Sequence, residues 1–502
     1  MEKQHKILLI TLVIFISIFI AYYPHFSYPF PLAADEYNHL ALGNQLAEDH
    51  ILPFTNPYTT YPREHLNLES GFHFFIAAIF TITPGDPTLN YKYFIPIFMI
   101  INSLLLFYLT FLLFKNYYIS LFSVLFYGTI KSTGNFFVHQ YFLPLTLGIT
   151  LLFLLFIFFI KWEKTNSKKH LIYLSITLLT AAITYPPTLT FFLGVILFYL
   201  LFSNHEINKK FNLPKKKFLI YLILILTVLT AIFLSLIFYL NLEEFLIFDT
   251  SWTSIESDIS PIFFFGIIPS TLAAIGIFGI IKANKNKLLI SWMLFSLIQI
   301  YSFYLLNFTI LVPFRRLFLF YLIGISILAG VGLIVTTNYL KKLNFKNKKI
   351  IIIALIILIL STHYYFSSDY FELPKIIGEK DYTALQFIKQ NYPKETIVLA
   401  NPHTSLAITP VTGMSVPHLI TANIYGDNPI RFNEFFIKNC DRKEEIIQEY
   451  INPLENYTIP KTKYQKLLVY SNDKINCPFL KETYSYPYVY EVTNDYFNSN
   501  KN

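Results

Sequence analysis

The chain has 502 residues, of which 54% are hydrophobic and 18% aromatic but only 14% charged, and its mean hydropathy is +0.48. Soluble domains carry roughly 25% charged residues, so this deficit excludes a disordered chain, a nucleic-acid-binding arm and a plain cytosolic enzyme. The net charge of +8 comes from 39 Lys and Arg against 31 Asp and Glu; in a membrane chain such an excess reports topology before it reports a partner.

A bilayer core needs about 20 apolar residues per helix, within roughly 17–25. The sequence predicts spans at 7–23, 92–114, 118–136, 141–160, 170–186, 187–203, 218–240, 262–281, 288–307, 313–337 and 349–366, eleven in all. Lys3 and Lys6 precede the first run, as in a secretory signal. Ala21-Tyr22-Tyr23-Pro24 is not a small-residue cleavage site, however, so a retained span is expected. A long loop, 24–91, follows. It opens polar over Ala34–Glu48, passes through the Pro-rich stretch 53–62 and ends in a short apolar segment, Gly71–Thr83, beside Asn67, Glu69 and Ser70.

Charge decides whether 71–83 crosses. If it does not, and the N-terminus is inside, the inside segments hold twenty lysines against three acids, and the loops 24–91 and 241–261 hold twelve acids against Arg63 alone. If it crossed, every later lysine-rich loop would face out, against the positive-inside rule. The segment is therefore expected in the outer interface, as an amphipathic or re-entrant helix. The N-terminus is expected in the cytoplasm and the tail, 367–502, outside the cell.

That tail has ordinary soluble composition, with 16 acids and 14 bases. Tyr382–Asn391 reads as an amphipathic helix carrying Leu385 and Ile388, Thr396–Ala400 and Lys466–Tyr470 as strands, and Arg431–Ile451 as mostly helical. The fold class predicted is an α-helical polytopic membrane protein with about 11 transmembrane helices and a small C-terminal extracytoplasmic α/β domain. The boundary falls between 1–366 and 367–502.

Four features bear on chemistry. Asp35 and Glu36 stand at a predicted helix start just after the first span, followed by Tyr37 and His39. An acidic pair there caps a helix and complements its dipole. At a membrane interface it is also placed to act as general base on a hydroxyl. At Thr129–Gln140, Lys131, Asn135 and His139 interrupt an apolar region. Arg315 and Arg316 adjoin at the start of the tenth span in a chain with only five Arg. They either snorkel to headgroups or bind phosphate oxygens through their guanidinium forks. Cys440 and Cys477 lie where a disulfide persists, although sequence does not show whether they meet. His73 reads as a core or surface histidine. No P-loop and no dinucleotide fingerprint occurs, so neither an ATP-driven nor an NAD role is supported.

The arrangement resembles the GT-C membrane glycosyltransferases, which include protein mannosyltransferases, the lipid A aminoarabinose transferase and the oligosaccharyltransferase catalytic subunit. Asp35-Glu36-Tyr37 is similar to the Asp-Glu start of the mannosyltransferases. Asp35-x-Tyr37-x-His39, with Ala41, Leu46, Leu52-Pro53 and Asn56-Pro57-Tyr58, resembles the archaeal oligosaccharyltransferase loop, and Glu69 matches a polar site of the aminoarabinose branch. Lys131 and Gly134 loosely match a basic residue and glycine of the second outer loop. The acidic metal ligands of that loop are absent and only Asn135 and His139 lie nearby, which leaves a divalent metal without the carboxylates that hard cations prefer. Pro313-Phe314-Arg315-Arg316 is similar to an Arg-aromatic opening of a late span, while the tail lacks W-W-D-Y-G, so en bloc transfer to Asn is not implied.

The resemblance implies a glycosyltransferase of the plasma membrane that takes a sugar from a polyprenyl-phosphate-linked donor to a glycan, lipid or protein acceptor at the outer face. Asp35 would be the general base, with Glu36 as the alternative, in a displacement with inversion, and Arg315, Arg316 and Lys131 would be the phosphate-binding groups. Tyr37, His39, Glu69, Asn135 and His139 would line the site. The implied partners are membrane lipid, donor and acceptor, with no nucleic acid; no cofactor is certain and the metal is unknown. A carrier or lipid flippase would instead need ionisable residues at mid-membrane. A non-catalytic surface or assembly protein could use the same scaffold.

Overall fold

The computed structural model describes residues 2–50, 57–58, 69–130, 138–211, 265–283, 286–306, 309, 312, 314–342, 375–417, 434–451 and 466–493. In chain order the first helices are α1 (Glu2–Tyr22), α2 (Ala34–Asp49), α3 (Ser70–Ile82), α4 (Pro87–Asn90), α5 (Phe94–Phe114) and α6 (Tyr117–Thr129). There follow α7 (Pro144–Thr165), α8 (Lys168–Thr184), α9 (Pro186–Phe211), α10 (Ile267–Lys282), α11 (Lys287–Leu306) and α12 (Phe314–Lys342). The C-terminal segment holds α13 (Glu379–Asn391), β1 (Thr396–Leu399), α14 (Pro402–Thr412), α15 (Cys440–Ile451), β2 (Lys466–Ser471), β3 (Leu480–Tyr484) and β4 (Tyr488–Val492).

The chain forms two compact units, one of residues 1–27 and 93–371, the other of 28–92 and 372–502. The sequence boundary at 366/367 follows the chain, whereas the compact units do not: the long first loop groups with the C-terminal segment.

In the helical unit, apolar runs set the helices. Among the described residues five helices are long and apolar enough to cross a membrane: Lys3–Phe26, Pro87–Phe114, Pro144–Thr165, Lys287–Leu305 and Arg316–Lys342. Pro186–Phe202 and Ile267–Lys282 are shorter apolar helices. Span 118–136 is cut back to α6, which ends at Thr129 before the polar run that begins at Lys131. Spans 218–240 and 349–366 lie outside the described residues, so the count of eleven stays an expectation.

Lipid supplies no hydrophobic drive between spans, and small residues and buried hydrogen bonds take its place. A Cβ on Gly276 of α10 would overlap the Leu328 carbonyl of α12, and one on Gly332 of α12 would overlap the Leu272 carbonyl of α10. The two backbones meet through these glycines. Asn102 of α5 accepts from Thr150 of α7 at 2.7 Å, and the Trp292 indole donates to the Phe320 carbonyl at 2.8 Å. Since overpacking costs roughly 1–3 kcal/mol, Gly332→Val should lower the thermal midpoint of the detergent-solubilised protein. An exposed counterpart, Ile281→Val on α10, should leave it unchanged.

In the mixed unit the sheet order is β1-β2-β4-β3; β1 and β2 are parallel and the other pairs antiparallel. Alternation sends Ile397, Leu399, Leu467 and Val469 to one face, where they form a core with Phe435, Ile446, Ile447 and Tyr490. The Cys440–Cys477 disulfide is formed, tying the start of α15 to the segment after β2. The opposite face carries Tyr470, whose hydroxyl donates to Asp381 of α13. Both strands and the amphipathic helix expected in the tail are present. Arg431–Ile451 is helical over 434–437 and in α15, with 431–433 outside the described residues. The β3–β4 hairpin was not among the expected elements.

The first loop belongs to this unit for identifiable reasons. Tyr28, Phe30 and Leu32 are buried, and α2 lays Leu40, Ala41 and Leu46 inward. Asn44 donates to the Pro410 carbonyl at 2.8 Å and Tyr58 to the Leu406 carbonyl at 3.0 Å. Asp86 caps α4 through Thr88 N–H and accepts from Tyr382 at 2.7 Å and Gln386 at 2.8 Å. Segment 71–83 forms α3, which packs on α2 and groups with this unit rather than with the long apolar helices.

Candidate active site

The first turn of α2 places the two acids, Asp35 the expected base and Glu36 its alternative, in different surroundings. The Glu36 side chain is fully buried, and its Oε2 accepts from the backbone N–H groups of Leu32 at 2.7 Å and Ala33 at 3.1 Å. It satisfies donors just ahead of the helix, as the third residue of a capping box does. Asp35 stands exposed on the same turn and makes no hydrogen bond or ion pair with a described residue. A negative charge at a helix start complements the helix dipole.

Tyr37 faces inward. Its phenol is fully buried beside that of Tyr28, whose hydroxyl accepts from Ile377 N–H at 3.3 Å. Burial, and then the neighbouring Tyr28 and Glu36, push the Tyr37 phenol well above its ordinary pKa, so it stays neutral. It anchors the turn from below.

His39, one turn beyond Asp35, lies on the same helical face. Its Nδ1 is 2.9 Å from Nε2 of His73, and its Nε2 is 3.8 Å from the Glu69 carboxylate. The His39 ring meets Phe72 edge-on at 5.3 Å. Glu69 is the residue before α3 and His73 lies four residues on, which puts both beside α2. Gly43 makes the approach possible, because a Cβ there would strike Ile76 of α3. Thus Asp35, Glu36, Tyr37, His39 and Glu69 come together in the mixed unit. His73, assigned a plain core or surface role from sequence, is the buried partner of His39. The Glu69/His73 spacing of four puts those two on one side of α3, but nothing in the sequence pairs His73 with His39.

The remaining candidates lie in the helical unit. His139 sits in a short 3-10 turn (Val138–Gln140), its ring edge-on to the buried Tyr127 at 4.4 Å. Arg316 is half-buried in the first turn of α12. Arg315 lies in the same turn with its side chain outside the described residues, as are Lys131 and Asn135. Among the described residues no group of three or more His, Cys, Asp or Glu is placed to hold a metal ion. The His39–His73 pair spends facing nitrogens on one another.

No protein-family model and no curated protein matches the sequence. Solved structures do match in fold. The archaeal oligosaccharyltransferase AglB from Archaeoglobus fulgidus, in complex with an inhibitory peptide and a dolichol-phosphate, aligns with TM-score 0.61 and 10% identity over 93% of this chain and 70% of its own. ArnT from Cupriavidus metallidurans aligns in the apo state with TM-score 0.54 and 9% identity over 98% of both chains. Bound to undecaprenyl phosphate it aligns with TM-score 0.51 and 9% identity over 97% of this chain and 98% of its own. Both proteins are GT-C membrane glycosyltransferases, and the fold of this chain is the GT-C fold.

Proposed function

We propose that the chain is a membrane glycosyltransferase that moves a sugar from a polyprenyl-phosphate-linked donor to an acceptor hydroxyl at the outer membrane face, with inversion. The fold likeness supports the class, and the neighbours that carry dolichol-phosphate or undecaprenyl phosphate support the donor type. The observation that carries the site is the exposed Asp35, which makes no hydrogen bond or ion pair with a described residue, beside a Glu36 already committed to the backbone.

In this reading Asp35 takes the proton of the acceptor hydroxyl. The acceptor oxygen forms a bond to the anomeric carbon as the bond from that carbon to the phosphate oxygen breaks, and polyprenyl phosphate leaves. Arg315, Arg316 and Lys131 meet the charge that grows on the leaving phosphate. His39 and Glu69, with Asn135 and His139, line the site, and Tyr37 holds its floor.

The test uses full-length protein in proteoliposomes with undecaprenyl-phosphate-linked and dolichyl-phosphate-linked hexoses, labelled in the sugar. Release of polyprenyl phosphate together with label in a new acceptor is the expected result. Transbilayer movement of the intact lipid-linked sugar, without cleavage, would instead establish a carrier.

A further inference from the structure

The mixed unit holds a second open site that the proposed chemistry does not use. A cleft of ≈ 560 Å³ lies between the start of α13 and the β3–β4 hairpin, walled by Glu379, Lys380, Asp381, Asn472, Tyr486 and Pro487. That volume is within the range of small-molecule sites. We propose that this cleft is a subsite for the non-reacting part of a neutral carbohydrate acceptor. The proposal rests on the glycosyltransferase reading above.

The lining argues for the ligand class. Glu379 and Asp381 against Lys380 leave the wall net acidic, which repels phosphate, nucleotides and anionic lipid. The lining offers one aromatic ring and one proline but no aliphatic side chain, which does not suit an acyl chain or a hydrophobic peptide. What remains is two carboxylates, an amide and a tyrosine. Carboxylates accept from hydroxyls and an amide both donates and accepts, while an aromatic face covers the C–H side of a sugar ring.

Two members are fixed in advance of any ligand. Asp381 accepts from Gly378 N–H at 2.6 Å and from the buried Tyr470 hydroxyl, which holds its carboxylate at the wall with lone pairs to spare. Tyr486 has φ 57° and is 58% exposed. A bulky side chain in the left-handed region is uncommon and costs energy, and this one gains no burial in return. Lys380 lies 4.4 Å over its ring, a surface cation–π contact that a sugar ring stacking on that face would displace.

The cleft is also connected to the candidate base. Gly378, at its rim, follows Ile377, whose N–H donates to Tyr28, and the Tyr28 phenol neighbours that of Tyr37, which follows Asp35 and Glu36 in α2. A sugar held in the cleft would therefore be held at a set position relative to Asp35. Such positioning converts remote binding energy into reactive alignment.

The experiment applies full-length protein in detergent to an array of neutral glycans, with inorganic pyrophosphate as an anionic competitor. Binding to a subset of glycans, unaffected by pyrophosphate, is expected. Tyr486→Asn removes the ring but tolerates positive φ, so it should fold with an unchanged thermal midpoint and weaken binding about tenfold, while Tyr486→Phe retains it. No glycan bound, binding displaced by pyrophosphate, or binding indifferent to Tyr486→Asn would each overturn the subsite. Asp35→Asn separates the two claims. It should cut transfer about 10²–10⁴-fold and leave array binding intact, so undiminished transfer in Asp35→Asn counts against the base alone.

Discussion

Asp35→Asn should abolish sugar transfer while leaving the fold untouched, and Glu36→Ala should do the reverse. General base catalysis contributes about 10²–10⁴-fold, so the loss in kcat for Asp35→Asn should fall in that range with the donor KM little changed. The asparagine is isosteric and exposed, and Asp35 makes no hydrogen bond or ion pair with a described residue. Its structural cost is limited to a helix-dipole contribution of roughly 0.3–1 kcal/mol. Glu36 differs because its oxygen accepts two backbone N–H groups in a fully buried position. Leaving those donors unpaired costs about 1–3 kcal/mol each. Glu36→Ala should therefore lower the thermal midpoint and the yield, whereas Glu36→Gln keeps one acceptor oxygen and should be milder. Thermal scans and single-turnover transfer on the same preparations separate the two effects. Full transfer by Asp35→Asn, or a stable Glu36→Ala that is inactive, would exchange the roles assigned to the two acids.

The paired substitution Arg315→Ala/Arg316→Ala should reduce transfer about 10²–10³-fold, the usual cost of removing a group aimed at developing charge. The loss should appear in kcat, because charge on the phosphate grows as the bond to the sugar breaks. Replacement of both by Lys should recover only part of it. An ammonium supplies the charge but not the planar fork that engages two phosphate oxygens. If the two arginines only snorkel to headgroups, Lys would serve equally well and the double alanine variant would lose insertion or stability rather than turnover. Transfer rates normalised to folded protein distinguish these outcomes.

Much of the architecture is legible in sequence because the solvent imposes it. Without water to pair exposed backbone, a crossing segment must be a continuous apolar helix, and runs such as Leu151–Ile160 and Leu317–Ile334 announce themselves. Charge then decided what hydropathy alone left open. The lysine asymmetry argues against a crossing at 71–83, and α3 groups with the first loop and the C-terminal segment rather than with the long apolar helices. The strands Thr396–Leu399 and Lys466–Ser471 are likewise visible as β-branched and apolar runs. The β3–β4 hairpin was not, since β3 carries exposed Lys481 and Glu482 and little alternation, and its pairing is set by long-range contact with β2.

The site shows the same division more sharply. The sequence placed an acidic pair at a helix start and, through composition and charge, a membrane chain, while the resemblance named His39 and Glu69 as site-lining residues. It ranked Asp35 ahead of Glu36 by resemblance and gave no physical ground for the order, since the two differ only in which way the first turn of α2 faces. That choice belongs to the tertiary structure. The strand-like approach through Leu32 and Ala33 presents two amides to Glu36 and turns Asp35 to solvent. The pairing of His39 with His73, the joining of the first loop to residues some 300 positions later, and the cleft beside Tyr486 are likewise tertiary. Each depends on side chains brought together by packing of distant segments, and no local periodicity records such meetings.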